Sequence, residues 1–341
     1  QQDGTFAATK VGQGKVSAVS GDVAGNAQVK VIPGKPAAID LTPREFTITA
    51  GDEKQLTLKV YDANDNLIQN PKYQWKVDNG LGEIDSRNVF HAKKAGSGVI
   101  RLTSGSAEGQ TAVAVERGKV AAIEIKPAQV EVQAGESVDF MAGAFDSERN
   151  KLELLPTWSV GNGIGKVSET GQFQALTVGD GYVAVQMGDV TGVATVTVQP
   201  GPVARVQVRP AEARLTAGAG TAFSATAFDA QGNVAPAEFG WSLEADRNLG
   251  EITADGTLKA LESGSGFVVG STDGVKGKAK VTVEPAKLAQ ITVSPQMIVL
   301  KSGQTLDVTV RGEDAYGNEV PVKPKYSVQH PVLGTISPKG A

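Results

Sequence analysis

Cysteine is absent from the 341 residues, so neither disulfides nor thiolate metal sites hold this chain together, and its stability must come from burial alone. Aromatic residues are scarce at 5%, although hydrophobic residues make up 40%. Val, Ala, Thr and Gly are plentiful, the composition of half-buried strands joined by tight turns. A formal charge of −4 with both signs interspersed offers no phosphate-tracking surface, which argues against a nucleic-acid partner. No apolar run approaches the ~20 residues of a membrane span, and no charged-then-apolar leader precedes Gln1. The expectation is a soluble chain whose export signal or anchor, if it has one, lies outside these residues.

What is present is repetition. WSLEADRNLGEITADGTLKALESGSG from Trp241 is matched by WKVDNGLGEIDSRNVFHAKKAGSG from Trp75, by WSVGNGIGKVSETGQFQALTVGDG from Trp158 and, in part, by YSVQHPVLGTISPKGA from Tyr326. DGTFAATKVGQGKVSAVSGDV from Asp3 likewise lines up with DGTLKALESGSGFVVGSTDGV from Asp255. One unit of roughly 84 residues, the length of a single small sandwich, therefore runs through the whole chain.

Each unit follows a short Pro/Gly joint, as at Pro33, Glu116, Pro200 and Glu284, and joints so short should be stiff. The first strand (AAIDLTP, AAIEIKP, ARVQVRP, AQITVSP) alternates apolar and polar residues before a proline that shunts the chain between sheets. A Gly turn follows (AGDE, AGES, AGAG, SGQT), then a strand running into DANDN, DSERN, DAQGN or DAYGN. There Asp bonds its own downstream backbone, so a hairpin is expected. Trp75, Trp158 and Trp241, with Tyr326 in the last unit, come next and are expected as buried plugs on a central strand. Asn88 replaces Gly4, Gly171 and Gly256 at a position that calls for positive φ. Two further strands end the unit, and six or seven strands with turns every 8 to 12 residues is a sandwich pattern.

The AGD turn with its strand, the DAxGN hairpin, the Trp, and GTL or GTF followed by GSG together resemble the bacterial immunoglobulin-like domains, in particular group 2 and the intimin and invasin relatives. The resemblance covers essentially the whole chain. It implies an all-β fold, tandem immunoglobulin-like β-sandwiches arranged as a rod, and the stalks, adhesins and other surface proteins that such domains build.

Three units are whole, at 36–118, 119–203 and 204–287. Residues 1–35 supply the back half of a domain and 288–341 the front half, and together they make one unit of near-normal length. Half a sandwich leaves its inner face and ladder edges in water. Two readings stand at this point. Either a longer parent chain supplies the rest, or Phe6, Val16, Ala18, Val29 and Val31 of one molecule complete a core with Ile291, Val293, Leu306, Val308 and Tyr326 of the next, which would propagate as a filament.

Catalytic signals are missing. His91 and His330 are the only histidines, and His91 occupies the outward place of Gln174 and Lys259. No Ser-His-Asp order, zinc-type cluster or phosphate loop is found, so neither an enzyme nor a cofactor is expected. Asp62, Asn64, Asp65 and Asn66 resemble a calcium loop in outline, but the neighbouring copies replace its ligands, and turn chemistry is favoured over calcium at a domain joint. Tyr61, Tyr73, Tyr182 and Phe228 are too scattered for a sugar platform, and Lys93-Lys94 reads as a solvated turn. The expected role is that of an extracellular or cell-surface structural protein, a rod or filament subunit or surface-layer component with a cell-wall or surface partner. The alternatives are the stalk or binding region of an adhesin recognising carbohydrate or a host protein, and the spacer array of a wall-associated enzyme.

Overall fold

A computed structural model describes residues 4–337, and among them every regular element except two single 3-10 turns is a β-strand. In the repeat 119–203, Gln129–Gln133, Val190–Gln199, Gly179–Met187 and Thr157–Gly161 form one four-stranded sheet in that order. Ala122–Lys126, Met141–Phe145 and Lys151–Leu152 form the facing sheet, and Ser137–Asp139, Gln172–Ala175 and Gly165–Val167 a third, smaller one. The repeat 204–287 has the same three sheets; in 36–118 the facing sheet is the pair Pro36–Thr42 and Thr57–Asp62. The chain is a tandem array of immunoglobulin-like β-sandwiches.

In the three intact repeats the proline after the first strand makes the sheet-to-sheet transfer that its chemistry predicts. Ala122–Lys126 is antiparallel to Met141–Phe145, whereas Gln129–Gln133, just past Pro127, runs parallel to Val190–Gln199 in the other sheet. Proline has no N–H to extend the first ladder, so the crossing falls there.

Alternation fills the cores. Along Val190–Gln199, Ala194, Val196 and Val198 point inward and are at most 1% exposed, while Thr191, Val193 and Thr195 face out. The enclosed large side chains are Phe90, Phe140 and Phe173, with Phe140 and Phe173 edge-to-face at 6.3 Å between ring centroids.

The tryptophans differ from expectation. Trp75, Trp158 and Trp241 are half-buried and lie on the edge strand of their four-stranded sheets, packed against the core from its rim. An edge strand has a partner on one side only, so one flank of the indole meets solvent; the residue sealing the middle is Phe90, Phe173 or Leu258, each 0% exposed. Tyr326 is also half-buried and belongs to no strand. Asn88, at φ 61°, accepts from Trp75 Nε1 at 3.1 Å and from the Tyr73 hydroxyl at 3.0 Å. In the next repeat Gly171 leaves no room for such a partner, since a Cβ there would stand 2.8 Å from the Trp158 ring, and Trp158 Nε1 is buried without an acceptor.

The solvent-accessible surface totals 22126 Å². A single compact body of this mass, 35.2 kDa, would expose about 13,000 Å², and four separate bodies of one repeat each about 19,000 Å². Cores are thus confined to single repeats, and neighbours share only narrow joints. At the two ends the sandwich is partial: a hairpin of Gly12–Ser20 with Val23–Val31, and a three-stranded sheet of Leu288–Ser294, Thr309–Asp314 and Glu319–Val320.

Candidate functional site: the joint between repeats

The feature that recurs with unchanged chemistry lies where repeats meet, and it is built by the hairpin Asp. Asp146 follows the strand Met141–Phe145, and its carboxylate folds back on the turn: Oδ1 accepts the backbone N–H groups of Glu148 at 3.0 Å and Asn150 at 2.8 Å. Oδ2 accepts the N–H of the linker residue Gly118 at 2.8 Å. The Asn150 amide also donates to Asp146 Oδ2 at 3.0 Å. Its other contacts reach across the joint, with Nδ2 donating to the Lys93 carbonyl at 2.8 Å and Oδ1 accepting from Ala95 N–H at 2.8 Å. One side chain thus bonds its own turn and both directions of the preceding repeat's backbone, using nearly the full capacity of a carboxamide.

The same arrangement is present four times. Asn66 joins Asp62 to Thr9 and Val11, Asn233 joins Asp229 to Leu176 and Val178, and Asn318 joins Asp314 to Leu261 and Ser263. The linker donors are Gly34, Gly201 and Ala286. All four Asp residues are buried, at 1% to 4% exposure.

A second contact reinforces the joints at the two ends of the repeat 119–203. The Gly turn of one repeat packs on the hairpin tip of the next: a Cβ on Gly51 would stand 3.2 Å from Ser147 Oγ, and one on Gly135 2.9 Å from Gln231 Nε2. Both glycines have positive φ, 94° and 99°, so tight approach and backbone conformation together demand Gly.

Burial raises the carboxyls of Asp146, Asp229 and Asp314, but the converging N–H donors outweigh it and hold all three below the ordinary carboxylate range, Asp314 at about 2. For Asp62 the Gly34 N–H contributes most, followed by the Asn66 amide, and the shift is again downward. The charge is neutralised by N–H dipoles. Both carboxylate oxygens already accept hydrogens, and the surrounding groups are donors, so this is a poor cage for a cation, which needs oxygen ligands turned toward it. Asp65, named with the calcium-loop alternative, is exposed at the turn, with φ 55°. Among the described residues no group of three or more Asp, Glu or His is arranged to hold a metal.

Of the terminal residues named for self-assembly, Val16, Ala18, Val29 and Val31 lie in one two-stranded sheet, Ile291 and Val293 in a different sheet, and Phe6, Leu306, Val308 and Tyr326 in no strand. Phe6 is 56% exposed, Val16 40%, Ile291 51%, Val293 44% and Leu306 40%; Ala18 is exposed, and Val29, Val31, Val308 and Tyr326 are half-buried. His91 lies beside Glu53 and Asp85 on the small sheet of its repeat, 3.1 Å and 3.6 Å away, without a nucleophile. Sequence reading assigned the hairpin Asp to turn formation and missed the Asn four residues later as the joint residue. Its signal was the constant Asp-to-Asn spacing in all four copies, where the residues between them vary.

No protein-family model matches the chain. Among curated proteins, Ice-binding protein 1 of Shewanella frigidimarina (strain NCIMB 400) is 22% identical over 260 residues, covering 73% of this chain and 29% of that protein. The chain therefore spans less than a third of the curated relative it matches. Among solved structures, domains 1-6 of the surface layer protein SbsC share 17% identity over 87% of this chain and 46% of that one, with a TM-score of 0.27. Extracellular cadherin domains 1-4 of protocadherin gamma B7 share 12% over 80% and 84%, with a TM-score of 0.42. The Escherichia coli adhesin FdeC shares 16% over 74% and 100%, with a TM-score of 0.34. The chain is thus similar, at the level of its β-domains, to surface-layer, cadherin and adhesin proteins, and no helix among its described residues is long and apolar enough to cross a membrane.

Proposed function

We propose that the chain is a structural element of a bacterial-type cell surface, a rod of immunoglobulin-like domains whose task is to hold its ends apart. The residues carry load and not catalysis. The observation that carries this reading is the joint: four times over, a buried Asp and the Asn four residues on tie the hairpin of one repeat to the linker and to the preceding repeat's backbone. A flexible tether would have no use for buried, fully bonded polar groups at each joint, because ordering them has value only where the angle between domains matters.

Within this reading the repeats stand nearest the group 2 and intimin–invasin type, on their AGD turn, DAxGN hairpin and following Trp. The rod serves as a filament or layer subunit that extends by joining like units. An adhesive stalk uses the same mechanics and differs only in what it carries. Small-angle scattering tests the proposal: the maximum dimension should be unchanged between millimolar calcium and chelator, and should fall and broaden when Asn66, Asn150, Asn233 and Asn318 are all replaced by Ala. Collapse with chelator alone, or a quadruple variant as extended as the parent, would overturn it.

A further inference from the structure

We infer that Asn79 and Asn162 are sites of spontaneous deamidation, and that the change loosens the joints at the two ends of the repeat 119–203. The modification stands on its own chemistry. Its consequence rests on the rod reading, because it acts through the joints.

The groups that Asn150 and Asn233 bind are themselves held by a turn. Asn150 binds the Lys93 carbonyl and the Ala95 N–H, and this segment hangs from Leu81, whose carbonyl accepts the N–H groups of Lys93 at 2.8 Å and Lys94 at 3.1 Å. In the next repeat Asn233 binds Leu176 and Val178, and the Ile164 carbonyl accepts the N–H groups of Leu176 at 2.9 Å and Thr177 at 3.1 Å. Leu81 and Ile164 are wedged in place, 1% and 2% exposed. A Cβ on Gly98 would stand 2.9 Å from Leu81 Cδ1, and one on Gly181 2.8 Å from Ile164 Cδ1. The backbone just before these two residues therefore sets where the joint's partner groups lie.

That backbone is Asn79-Gly80 in one repeat and Asn162-Gly163 in the other, the two Asn-Gly pairs of the chain. Their φ angles are 55° and 66°, and 62° and 65°, left-handed at both residues of each pair. Asn and Gly accept this tight-turn geometry most readily, so the turn selects the pair. The pair brings a reaction with it. All four residues are exposed to water, and a glycine nitrogen has no neighbouring side chain to crowd it. The Gly nitrogen, giving up its proton to base, bonds to the Asn Cγ; the Cγ–Nδ2 bond breaks, and ammonia leaves with a proton returned by solvent. Water then opens the resulting succinimide at either carbonyl. The products are Asp, or isoaspartate, in which the main chain continues through Cγ. One water is consumed and one ammonia released, with no oxidant or reductant.

Either product disturbs the turn. The Asn79 amide donates to the Ser97 carbonyl at 3.3 Å, and the Asn162 amide to the Asp180 carbonyl at 3.1 Å. A carboxylate has no hydrogen to give and meets the carbonyl oxygen with like charge. Isoaspartate also adds a backbone carbon directly before a wedged residue. The repeat 204–287 is built differently at this place. Asp246, Arg247 and Asn248 precede Leu249, whose carbonyl accepts the Leu261 N–H at 2.8 Å, and Leu261 and Ser263 are bound by Asn318. Asn248 is also exposed, but the Leu that follows it crowds the attacking nitrogen. The joint after this repeat is therefore spared.

Ageing the unmodified chain in warm, mildly alkaline buffer and mapping its peptides by mass tests the first step. The peptides holding Asn79 and Asn162 should become about 1 Da heavier, partly as isoaspartate, while the peptide holding Asn248 stays unchanged. Brief trypsin treatment of the folded chain tests the second. Cleavage at Arg117 and Lys119 should be about fivefold faster after ageing, because proteolysis follows the population of the open joint and hydrogen bonds have been lost. Cleavage at Lys287, in the linker after the repeat 204–287, should not change. Asn79→Gly keeps a left-handed turn and cannot deamidate, so it should abolish the effect of ageing at Arg117 and Lys119. An equal mass gain at Asn248, an aged chain cut no faster than a fresh one, or an acceleration that persists in Asn79→Gly would overturn the inference. Asn150→Ala opens the same joint directly and tells the failures apart. If it speeds cleavage and ageing does not, only the deamidation coupling falls; if neither does, the rod reading falls as well.

Discussion

Asn150 and Lys93 belong to different repeats, yet the Asn150 amide donates to the Lys93 carbonyl at 2.8 Å while the same side chain accepts the Ala95 N–H at 2.8 Å. Two antiparallel bonds through one carboxamide mimic a rung of β-ladder across a domain boundary. Because Asn150 is itself held by Asp146, and Asp146 by the linker N–H of Gly118, rotation about the linker must break several bonds together.

Replacing Asn150 with Ala removes the bonds to Lys93, Ala95 and Asp146 and leaves Asp146 short of a donor. The local cost is about 1–3 kcal/mol for stranded polar groups, confined to this joint because the cores on either side are separate. Arg117 and Lys119 flank the linker glycine, so the expected outcome is faster tryptic cleavage at these two residues, with the thermal unfolding of the individual repeats nearly unchanged.

The joints should respond to acid in one direction. Asp62, Asp146, Asp229 and Asp314 have folded-state pKa values below the unfolded value of about 3.9, so their contribution is complete above that pH and is lost as pH falls toward the folded values, about 2 for Asp314. Scattering curves should superimpose from neutral pH to about pH 5 and show loosening joints only below about pH 4. Loosening that begins near pH 6 would point to another group.

The two central tryptophan environments separate an indole's packing from its hydrogen bond. Trp75→Phe deprives Asn88 Oδ1 of a donor, whereas Trp158→Phe removes an N–H that has no acceptor. Ring volume lost is equal, so the first substitution should destabilise its repeat by about 1 kcal/mol more than the second, measured by urea unfolding.

Thr111 is 0% exposed and its hydroxyl has no partner, at a position where the next two repeats carry Ala194 and Ala279. Thr111→Val keeps the shape and removes the stranded hydroxyl. The repeat 36–118 should gain about 1 kcal/mol, seen as a higher urea midpoint with unchanged slope.

The amino-acid order alone determined the repeat, its strands, the sheet-crossing prolines and the turns, because each of these is local: period-two alternation, a missing N–H, a residue tolerant of positive φ. Which side chain seals the core was not local. Trp75, Trp158 and Trp241 carry the largest rings, but only strand order shows that they sit at an edge, leaving Phe90, Phe173 and Leu258 to fill the centre. The role of Asn66, Asn150, Asn233 and Asn318 was decided in the same way. Asx chemistry in a turn looks identical whether the carboxamide faces water or a neighbour, and only the tertiary arrangement brings a carbonyl and an N–H from the preceding repeat within reach of it.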